Sequence, residues 1–268
     1  MNIRIRWHIK VIGVIYLKVL VTGATGQLGS ALLRQLKNTD YQVKITSRRK
    51  PENVNFEWVY CDFLTGEGLE EAVSNIDVVI HAATSPIKDS DIIDVLGFKK
   101  FLDMTQQIKH FIYPSIVGIE DIPMKYYRNK YQAEELLKNS TVPHTIVRAT
   151  QFHSFVENIF LSKPLFKRYL VPGDIKIQSV DVDEFAAHLI QTINVGPQGK
   201  TEDFAGPEIL TLREMAELKI KVNNESSKVA SFPFPGKLYR ALLDGRNTND
   251  LRKVGKVTFE EFLIAKGN

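Results

Sequence analysis

Short β-branched apolar runs alternate with longer amphipathic stretches over the first 150 residues of the chain. This alternation is typical of a parallel sheet with crossover helices, because parallel strands need long connections between them. The pattern predicts strands at residues 18–21, 42–46, 57–60, 77–81, 111–113 and 145–148, and helices at residues 27–36, 68–73, 91–107 and 126–137. The predicted fold class is therefore α/β, a Rossmann-type doubly wound parallel sheet.

The alternation of strand and helix patterns ends at about residue 150, after which prolines divide the chain into short segments. Two capping boxes, Thr211 with Glu214 and Thr258 with Glu261, predict the starts of short late helices. We therefore predict a core over 18–150 and, over 151–268, the remaining sheet elements with a small C-terminal lobe, all in one integrated domain.

Residues 1–17 carry positive charge before a short apolar run and so superficially resemble a signal peptide. Lys18 interrupts that run, which is also far shorter than the roughly 20 residues that span a bilayer. We therefore interpret 1–17 as an extension outside the fold and expect a cytoplasmic protein without a membrane partner.

Composition narrows the function classes. Hydrophobic residues make up 44% and charged residues 25%, which is ordinary for a globular protein. The one cysteine, Cys61, excludes a disulfide framework or a cysteine-rich zinc site, and we predict a metal-free site. The net charge of +4 equals the four basic residues of 1–18, so the rest of the chain is neutral and gives little support for nucleic-acid binding.

The sharpest motif is VLVTGATGQLGSALL at 19–33, where three glycines follow a strand and open a helix. Glycine adopts positive φ without penalty and lets the backbone approach a diphosphate, while the helix start offers free N–H groups. The glycine spacing is three-and-three rather than G-x-G-x-x-G. We predict a dinucleotide-binding turn with the cofactor contacts Gly23, Thr25, Gly26, Gln27, Leu28 and Gly29; the alternative is a glycine-rich turn without a ligand.

Basic residues, Arg48 and Arg49 with Lys50, follow the second strand, where NAD-selective chains usually carry an acid. A carboxylate would repel a 2′-phosphate, whereas a guanidinium binds it. We predict a preference for NADP(H), with NAD(H) possible; the alternative is a solvated basic loop.

Further cofactor contacts are expected where the third and fourth strands end. Asp62, followed by Phe63, is placed to accept a hydrogen bond from the adenine amino group, although Asp62 also suits a loop or helix cap. Ala82, Ala83 and Thr84 are small enough for a cofactor to lie over their backbone.

Tyr126 and Lys130 are four residues apart, so a helix places both on one face. An ammonium near a phenol lowers its pKa, which suits proton exchange with a carbonyl or alcohol, and Lys130 can also hold the nicotinamide ribose. Ser115 at the end of the fifth strand is a candidate to polarise a substrate oxygen. The competing interpretation is a surface pair of Lys130 with Glu134.

Residues 148–155, RATQFHSF, leave the sixth strand at the edge where open α/β sheets bind ligands. Gln151, Phe152 and His153 are candidates to line a substrate pocket, with His153 as a second proton donor. The alternative is that Phe152 packs in the core and His153 caps a helix.

Together these segments resemble an atypical short-chain dehydrogenase/reductase, nearest to the NmrA-like NAD(P)H-binding oxidoreductases. The motifs that carry the resemblance are VTGATGQLG, CDF, HAAT, DVLGFKKFL, PSIVG, YYRNK before AEELL, VRATQFHSF, VDVDEFAAHL and FAGPEILTLREM. The resemblance covers the chain from about residue 18 onward. It implies phosphate contacts at the three glycines, a nicotinamide-ribose contact at Lys130, and a triad of Ser115, Tyr126 and Lys130.

The first functional hypothesis is NADPH-dependent reduction of a small carbonyl, enone or quinone-like substrate by a monomer or homodimer. The resemblance also leaves open a non-catalytic regulator that senses NADP(H). A third hypothesis is an epimerase or dehydratase that keeps its cofactor bound.

Overall fold

The computed structural model describes residues 17–52 and 54–267, and its centre is a seven-stranded sheet in which every pair of neighbours is parallel. The strand order is β3-β2-β1-β4-β5-β6-β11. These strands are β1 Lys18–Thr22, β2 Gln42–Ser47, β3 Glu57–Tyr60, β4 Val78–His81, β5 His110–Ile116, β6 His144–Ala149 and β11 Gly199–Lys200. The six predicted strands are confirmed, and the order reverses between β1 and β4, as in a doubly wound sheet.

Helices cover both faces of this sheet. One face packs against α1 and α6, the other against α2, α3 and α4. The helices are α1 Gln27–Leu36, α2 Leu69–Val73, α3 Phe98–Met104, α4 Lys125–Lys138, α5 His153–Phe160, α6 Val182–Val195, α7 Leu212–Val222, α8 Lys237–Leu243 and α9 Phe259–Gly267. In β1, Val19 and Val21 belong to the first face and Leu20 to the second, because successive strand side chains point to opposite sides.

The helix predicted at residues 91–107 differs from expectation. It begins with a π-helical segment, Ile92–Gly97, continues as α3 and ends at Met104. Gly97 lies against the loop after β3, where an added Cβ would be 2.2 Å from the Phe63 carbonyl oxygen. The widened turn also brings Asp94 inward to the loop after β4. A regular helical period in the sequence gives no sign of such a turn.

The segment after residue 150 contributes to two regions. Strand β11 and helix α6 join the main sheet, whereas α5, α7 and α9 enclose a separate apolar cluster. Three two-stranded sheets accompany that cluster: β7 Gln151–Phe152 with β10 Ser179–Val180, β9 Lys176–Ile177 with β12 Leu210–Thr211, and β8 Arg168–Val171 with β13 Lys228–Ser231. Both predicted capping boxes are present, at Thr211 and at Thr258.

The predicted N-terminal extension lies outside the described residues except for Leu17. Leu17 packs against the core, and its carbonyl accepts a hydrogen bond from the Gln42 N–H. Leu17, which the prediction assigned to the extension, therefore packs with the fold. Among the described residues, no helix is long and apolar enough to cross a bilayer.

Candidate functional site

The turn between β1 and α1 brings two strand ends into backbone contact. Gly23 has φ +66°, and a Cβ there would lie 2.6 Å from the Cα of Ala83. Gly29 packs against the same turn, since its Cβ would lie 2.1 Å from the Gly23 carbonyl oxygen. Only glycine satisfies both positions without displacing backbone.

Gly26 differs from those two glycines because it faces solvent. It is the N-cap of α1 with φ −76°, its N–H donates to the Gly23 carbonyl at 2.9 Å, and no side chain caps the helix. The first turn of α1 carries no acidic residue, and Thr25 and Gln27 are exposed beside it. An uncapped helix start with no side chain at its tip fits the diphosphate of a dinucleotide.

Leu28 is 9% exposed and belongs to the core, so only its backbone is available to a ligand. The structure therefore corrects the expectation of a Leu28 contact to a backbone contact. Its side chain anchors α1 to the sheet.

Arg48 and Arg49 follow β2 next to this turn, because the Ala24 N–H donates to the Thr46 carbonyl at 3.0 Å. Both arginines are exposed, and within the described residues neither has an acidic partner within 4.0 Å. Two unpaired guanidinium groups beside the glycine turn fit a 2′-phosphate.

The predicted adenine contacts are partly corrected. The Asp62 carboxylate accepts from the Leu64 N–H at 2.9 Å and so caps its own loop, the role that competed with ligand binding. Phe63 is 7% exposed and packs edge-on against His81 and Phe101. Its side chain belongs to the core and does not line a cofactor cleft.

The loop after β4 is tied to the end of β1. The Ala83 N–H donates to Thr22 Oγ1 at 3.1 Å, and the same oxygen lies 3.1 Å from Nδ1 of buried His81. Ala82 and Ala83 are half-buried and Thr84 is exposed, so this loop borders the glycine turn as the sequence predicts.

Tyr126, near the start of α4, reaches that loop. Its hydroxyl lies 3.0 Å from Thr84 Oγ1, and Thr84 donates in turn to the carboxylate of Asp94. Burial and the nearby Asp94 charge raise the Tyr126 pKa above its usual value. The expectation that the Lys130 ammonium lowers this pKa is wrong here, and Tyr126 is a neutral phenol.

Lys130 is 4% exposed, and its ammonium lies under the candidate site. Nζ donates to the Pro114 carbonyl at 2.9 Å and lies 4.2 Å from the centre of the Tyr113 ring. Burial lowers the Lys130 pKa to about 8, against the opposing charges of Asp94 and Glu134. The alternative of a surface pair with Glu134 is not what the structure has.

Ser115 requires a correction. It is 5% exposed, and its hydroxyl lies near the buried Glu134 carboxylate, whose pKa it helps to lower. Since a buried hydroxyl cannot reach a substrate in the cleft, the structure does not support the expected polarising role. Ser115 follows Tyr113 by two residues, so the strand period places both on the sheet face that α4 covers.

An ion-pair network that the sequence analysis missed lies beneath α4. Arg148 donates to the fully buried Glu134 at 2.8 Å through both Nε and Nη2, and to Glu120 at 2.6 and 2.9 Å. Burial alone raises the pKa of Glu134, but the Arg148 hydrogen bonds outweigh it and lower this pKa below its usual value. This network fixes α4, and with it Tyr126, on strand β6.

The predicted substrate residues separate into two groups. Gln151 is half-buried and donates from Nε2 to the Tyr127 hydroxyl at 2.6 Å, beside the Tyr126 ring. Gln151 therefore contacts the residue that follows the candidate proton donor on α4. Phe152 instead packs on Phe185 with ring centres 5.9 Å apart, as the core alternative predicted.

His153 is 1% exposed and is bonded within the protein on both sides of its ring. Nε2 lies 3.0 Å from the Val257 carbonyl and Nδ1 lies 2.7 Å from Ser179 Oγ. Because a carbonyl only accepts, Nε2 carries the proton and Nδ1 accepts from Ser179. The expectation of a substrate-facing proton donor is corrected to a structural role.

In the described part of the chain, no three His, Cys, Asp or Glu side chains are grouped to hold a metal ion. A metal-free site stays a prediction. The site thus consists of an uncapped glycine turn, two free arginines, and Tyr126 hydrogen-bonded to the loop after β4.

This combination of fold and site defines a dinucleotide-binding α/β protein. A family model described as NAD(P)H-binding matches residues 23–191, more than half of the chain. The chain belongs to this NAD(P)H-binding family, which confirms the resemblance to the atypical short-chain dehydrogenase/reductases.

Individual relatives share about a quarter of their residues with this chain. The chain is 26% identical over 233 residues to the mitochondrial NADH dehydrogenase (ubiquinone) 1 alpha subcomplex subunit 9 of Dictyostelium discoideum, covering 78% of this chain and 65% of that relative. It is 24% identical over 243 residues to the photosystem II assembly factor Ycf39 of Trieres chinensis, covering 81% and 72%. The chain thus spans slightly less than two thirds of the first relative.

A solved structure with the same fold is the NADPH-dependent quinone oxidoreductase of Escherichia coli in complex with NADPH. It superposes with a TM-score of 0.77 at 18% identity, covering 93% of this chain and all of that one. At this identity the match establishes the fold, and it supports the predicted Rossmann-type sheet.

Proposed function

We propose that the chain is an NADPH-dependent oxidoreductase that reduces a small carbonyl, enone or quinone-like substrate, with Tyr126 as proton donor. The observation that carries this proposal is the 3.0 Å contact of the Tyr126 hydroxyl with Thr84, the residue after Ala83. Because Ala83 lies against Gly23, the phenol is held beside the nucleotide turn. When bound there, NADPH supplies a hydride.

The chain's own residues supply binding and the proton. Gly23, Gly26 and the start of α1 hold the diphosphate, and Arg48 with Arg49 bind the 2′-phosphate. Tyr126, kept neutral by burial, gives its phenolic proton to the substrate oxygen. Gln151, which donates to the hydroxyl of Tyr127, is kept as a candidate substrate contact.

Coenzyme preference is tested by titrating the protein with NADPH and with NADH. We expect Arg48→Ala with Arg49→Ala to weaken NADPH binding by about 10- to 100-fold, since a charge-assisted hydrogen bond contributes roughly 1.5–3 kcal/mol. NADH binding is expected to stay unchanged. Lys163→Ala, an exposed cation between α5 and β8, is the control. Equal losses for the two coenzymes would refute the assignment of these arginines to the 2′-phosphate.

Turnover is tested by NADPH oxidation with a panel of quinones, enones and small carbonyl compounds. Tyr126→Phe is expected to lower kcat by about 10²- to 10⁴-fold, the usual contribution of general acid catalysis. Tyr131→Phe, on the next turn of the same helix and 39% exposed, is the matched control. Full activity of Tyr126→Phe would exclude Tyr126 as the proton donor.

A second candidate is a non-catalytic protein that responds to NADP(H). Two observations favour it: the side chains of Ser115 and Lys130 are buried, and relatives include a subunit of a larger complex and an assembly factor. NADPH binding without oxidation on any panel compound supports this candidate. Conversion of a sugar nucleotide with no net NADPH oxidation would instead support the epimerase or dehydratase hypothesis.

For the remaining properties we keep the sequence-based proposals. The partner is a small-molecule substrate rather than a nucleic acid or a membrane, and the protein is a monomer or homodimer. A cytoplasmic location is proposed from the sequence alone. Light scattering of the purified protein and fractionation of the cells that contain it test these proposals.

A further inference from the structure

Asp94 is a buried carboxyl group that the proposed reaction leaves unused. It is 3% exposed, lies in the π-helical segment, and accepts hydrogen bonds from the Thr84 hydroxyl and, at 3.1 Å, from the Ser85 N–H. Thr84 in turn contacts the Tyr126 hydroxyl. A continuous chain of hydrogen bonds therefore runs from a carboxyl group inside the protein to the candidate proton donor at the cleft.

We propose that Asp94, acting through Thr84, sets the direction of the Tyr126 hydroxyl and replaces the proton that Tyr126 gives to the substrate. Asp94 and Thr84 are positioning residues in this proposal, and only Tyr126 touches the reacting atoms. The replacement of the Tyr126 proton rests on the proposed reductase function. The orientation of the Tyr126 hydroxyl by Asp94 does not depend on that function and can be tested on the protein alone. We call these claims the proton-replacement part and the directional part.

The chain of hydroxyl groups has two possible directions because Thr84 has one proton to donate. When Asp94 is a carboxylate, Thr84 donates to it and accepts from Tyr126, so the phenolic proton is held by Thr84 and is not offered to a substrate. When Asp94 is protonated, it donates to Thr84, and Thr84 donates to Tyr126. The phenolic proton is then free to point to the substrate.

The proton transfer balances along this chain. The Tyr126 O–H bond breaks as the proton joins the substrate oxygen; the Thr84 proton moves to the Tyr126 oxygen, and the Asp94 proton moves to Thr84. Three O–H bonds break and three form. Tyr126 and Thr84 end as they began, Asp94 ends as a carboxylate, and water returns its proton.

The surroundings of Asp94 fit this role. Burial raises its pKa, while the charge of Lys130 on α4 and the hydrogen bonds from Thr84 and Ser85 act in the opposite direction. Tyr113 on β5 and Tyr126 on α4 are the other titratable groups whose pKa values the Asp94 charge affects, and it raises both. Asp91, the neighbouring acid, is exposed and already paired with Lys125 at 2.9 Å.

The directional part is tested by NMR titration of the protein without added coenzyme, labelled with ¹³C at the tyrosine Cζ and aspartate Cγ atoms. Tyr126→Phe and Asp94→Asn assign the two signals. We expect the Tyr126 signal to change at the same midpoint pH as the Asp94 signal. Thr84→Val is expected to remove most of that change while Asp94 still titrates, and Thr84→Ser is expected to restore it.

Two results would overturn the proposal. One is a Tyr126 chemical-shift change in Thr84→Val as large as in the wild type, because the Asp94 charge alone would then explain it. The other is a Tyr126 chemical shift in the wild-type protein that does not change with pH. Thermal unfolding of each variant checks that a lost chemical-shift change does not come from loss of the fold.

The proton-replacement part is tested by turnover of the panel compound that the wild-type protein reduces. Thr84→Val and Asp94→Asn are expected to lower kcat by at least about 10-fold with KM unchanged, within the range of general acid–base catalysis. Thr84→Ser is expected to recover most of the rate. Equal rates in all variants would refute proton replacement. Absence of turnover in the wild-type protein would refute the reductase function instead. The NMR titration would still show whether Asp94 sets the direction of the hydrogen bonds through Thr84 to Tyr126.

Discussion

Replacing Gly29 with alanine tests the geometry of the nucleotide turn through stability. Gly29 lies in the first turn of α1, where alanine is the better helix former by up to about 1 kcal/mol. The structure predicts a loss of stability instead of this gain, since the new Cβ would lie 2.1 Å from the Gly23 oxygen and 2.9 Å from the Ala24 Cα. Both neighbours are backbone atoms that no rotamer change can move. Overpacking costs about 1–3 kcal/mol, so Gly29→Ala is expected to destabilise the protein by about 1–3 kcal/mol.

Urea denaturation followed by circular dichroism measures this free energy of unfolding. Gly26→Ala is the matched control, because its Cβ would meet only the Gly23 oxygen at 3.3 Å. We expect Gly26→Ala to cost less than Gly29→Ala, at most about 1 kcal/mol, because alanine is a poorer N-cap than glycine but meets no close backbone contact. A Gly29→Ala protein as stable as the wild type would refute the close packing of α1 on the turn.

Three further predictions concern the buried charges and the thiol. Arg148→Met is expected to cost up to about 3–5 kcal/mol in urea denaturation, because it leaves the fully buried Glu134 with only the partly exposed Lys138 as an ion-pair partner, at 3.3 Å; an additional Glu134→Leu change should recover much of this loss. Burial raises the Cys61 pKa to about 12, so a thiol reagent at pH 8 is expected to modify Cys61 only in denaturant, and rapid labelling of the native protein would contradict its burial. Burial also lowers the pKa of His81 and His153, so the unfolded state binds more protons below about pH 6.5 and stability should fall as pH drops towards 5; a flat profile would contradict neutral buried histidines.

The sequence predicts the sheet well because each central strand is a continuous apolar run. The run at Val78–Ile80 is typical of a strand buried on both faces, and the glycine motif marks the end of β1. The three two-stranded sheets after residue 150 were not predicted. Their strands are two to four residues long, which is too short for a hydrophobic period.

The candidate site was predicted in part. Backbone features such as Gly23 follow from local chemistry, but the surroundings of a side chain depend on tertiary packing. Ser115 and His153 were assigned to the cleft and lie in the interior, although the two-residue period from Tyr113 already placed Ser115 on the face under α4. Asp94 was missed as a site residue, because its inward position depends on a π-helical turn.

The central claim is that the uncapped start of α1 binds the diphosphate of NAD(P)H. Calorimetric titration of the wild-type protein and of Gly26→Val with NADPH tests it most directly, with thermal unfolding of both proteins in parallel. We predict binding by the wild type and its loss in Gly26→Val at an almost unchanged melting temperature. No NADPH binding by the folded wild type, or equal affinity in the variant, would contradict the account.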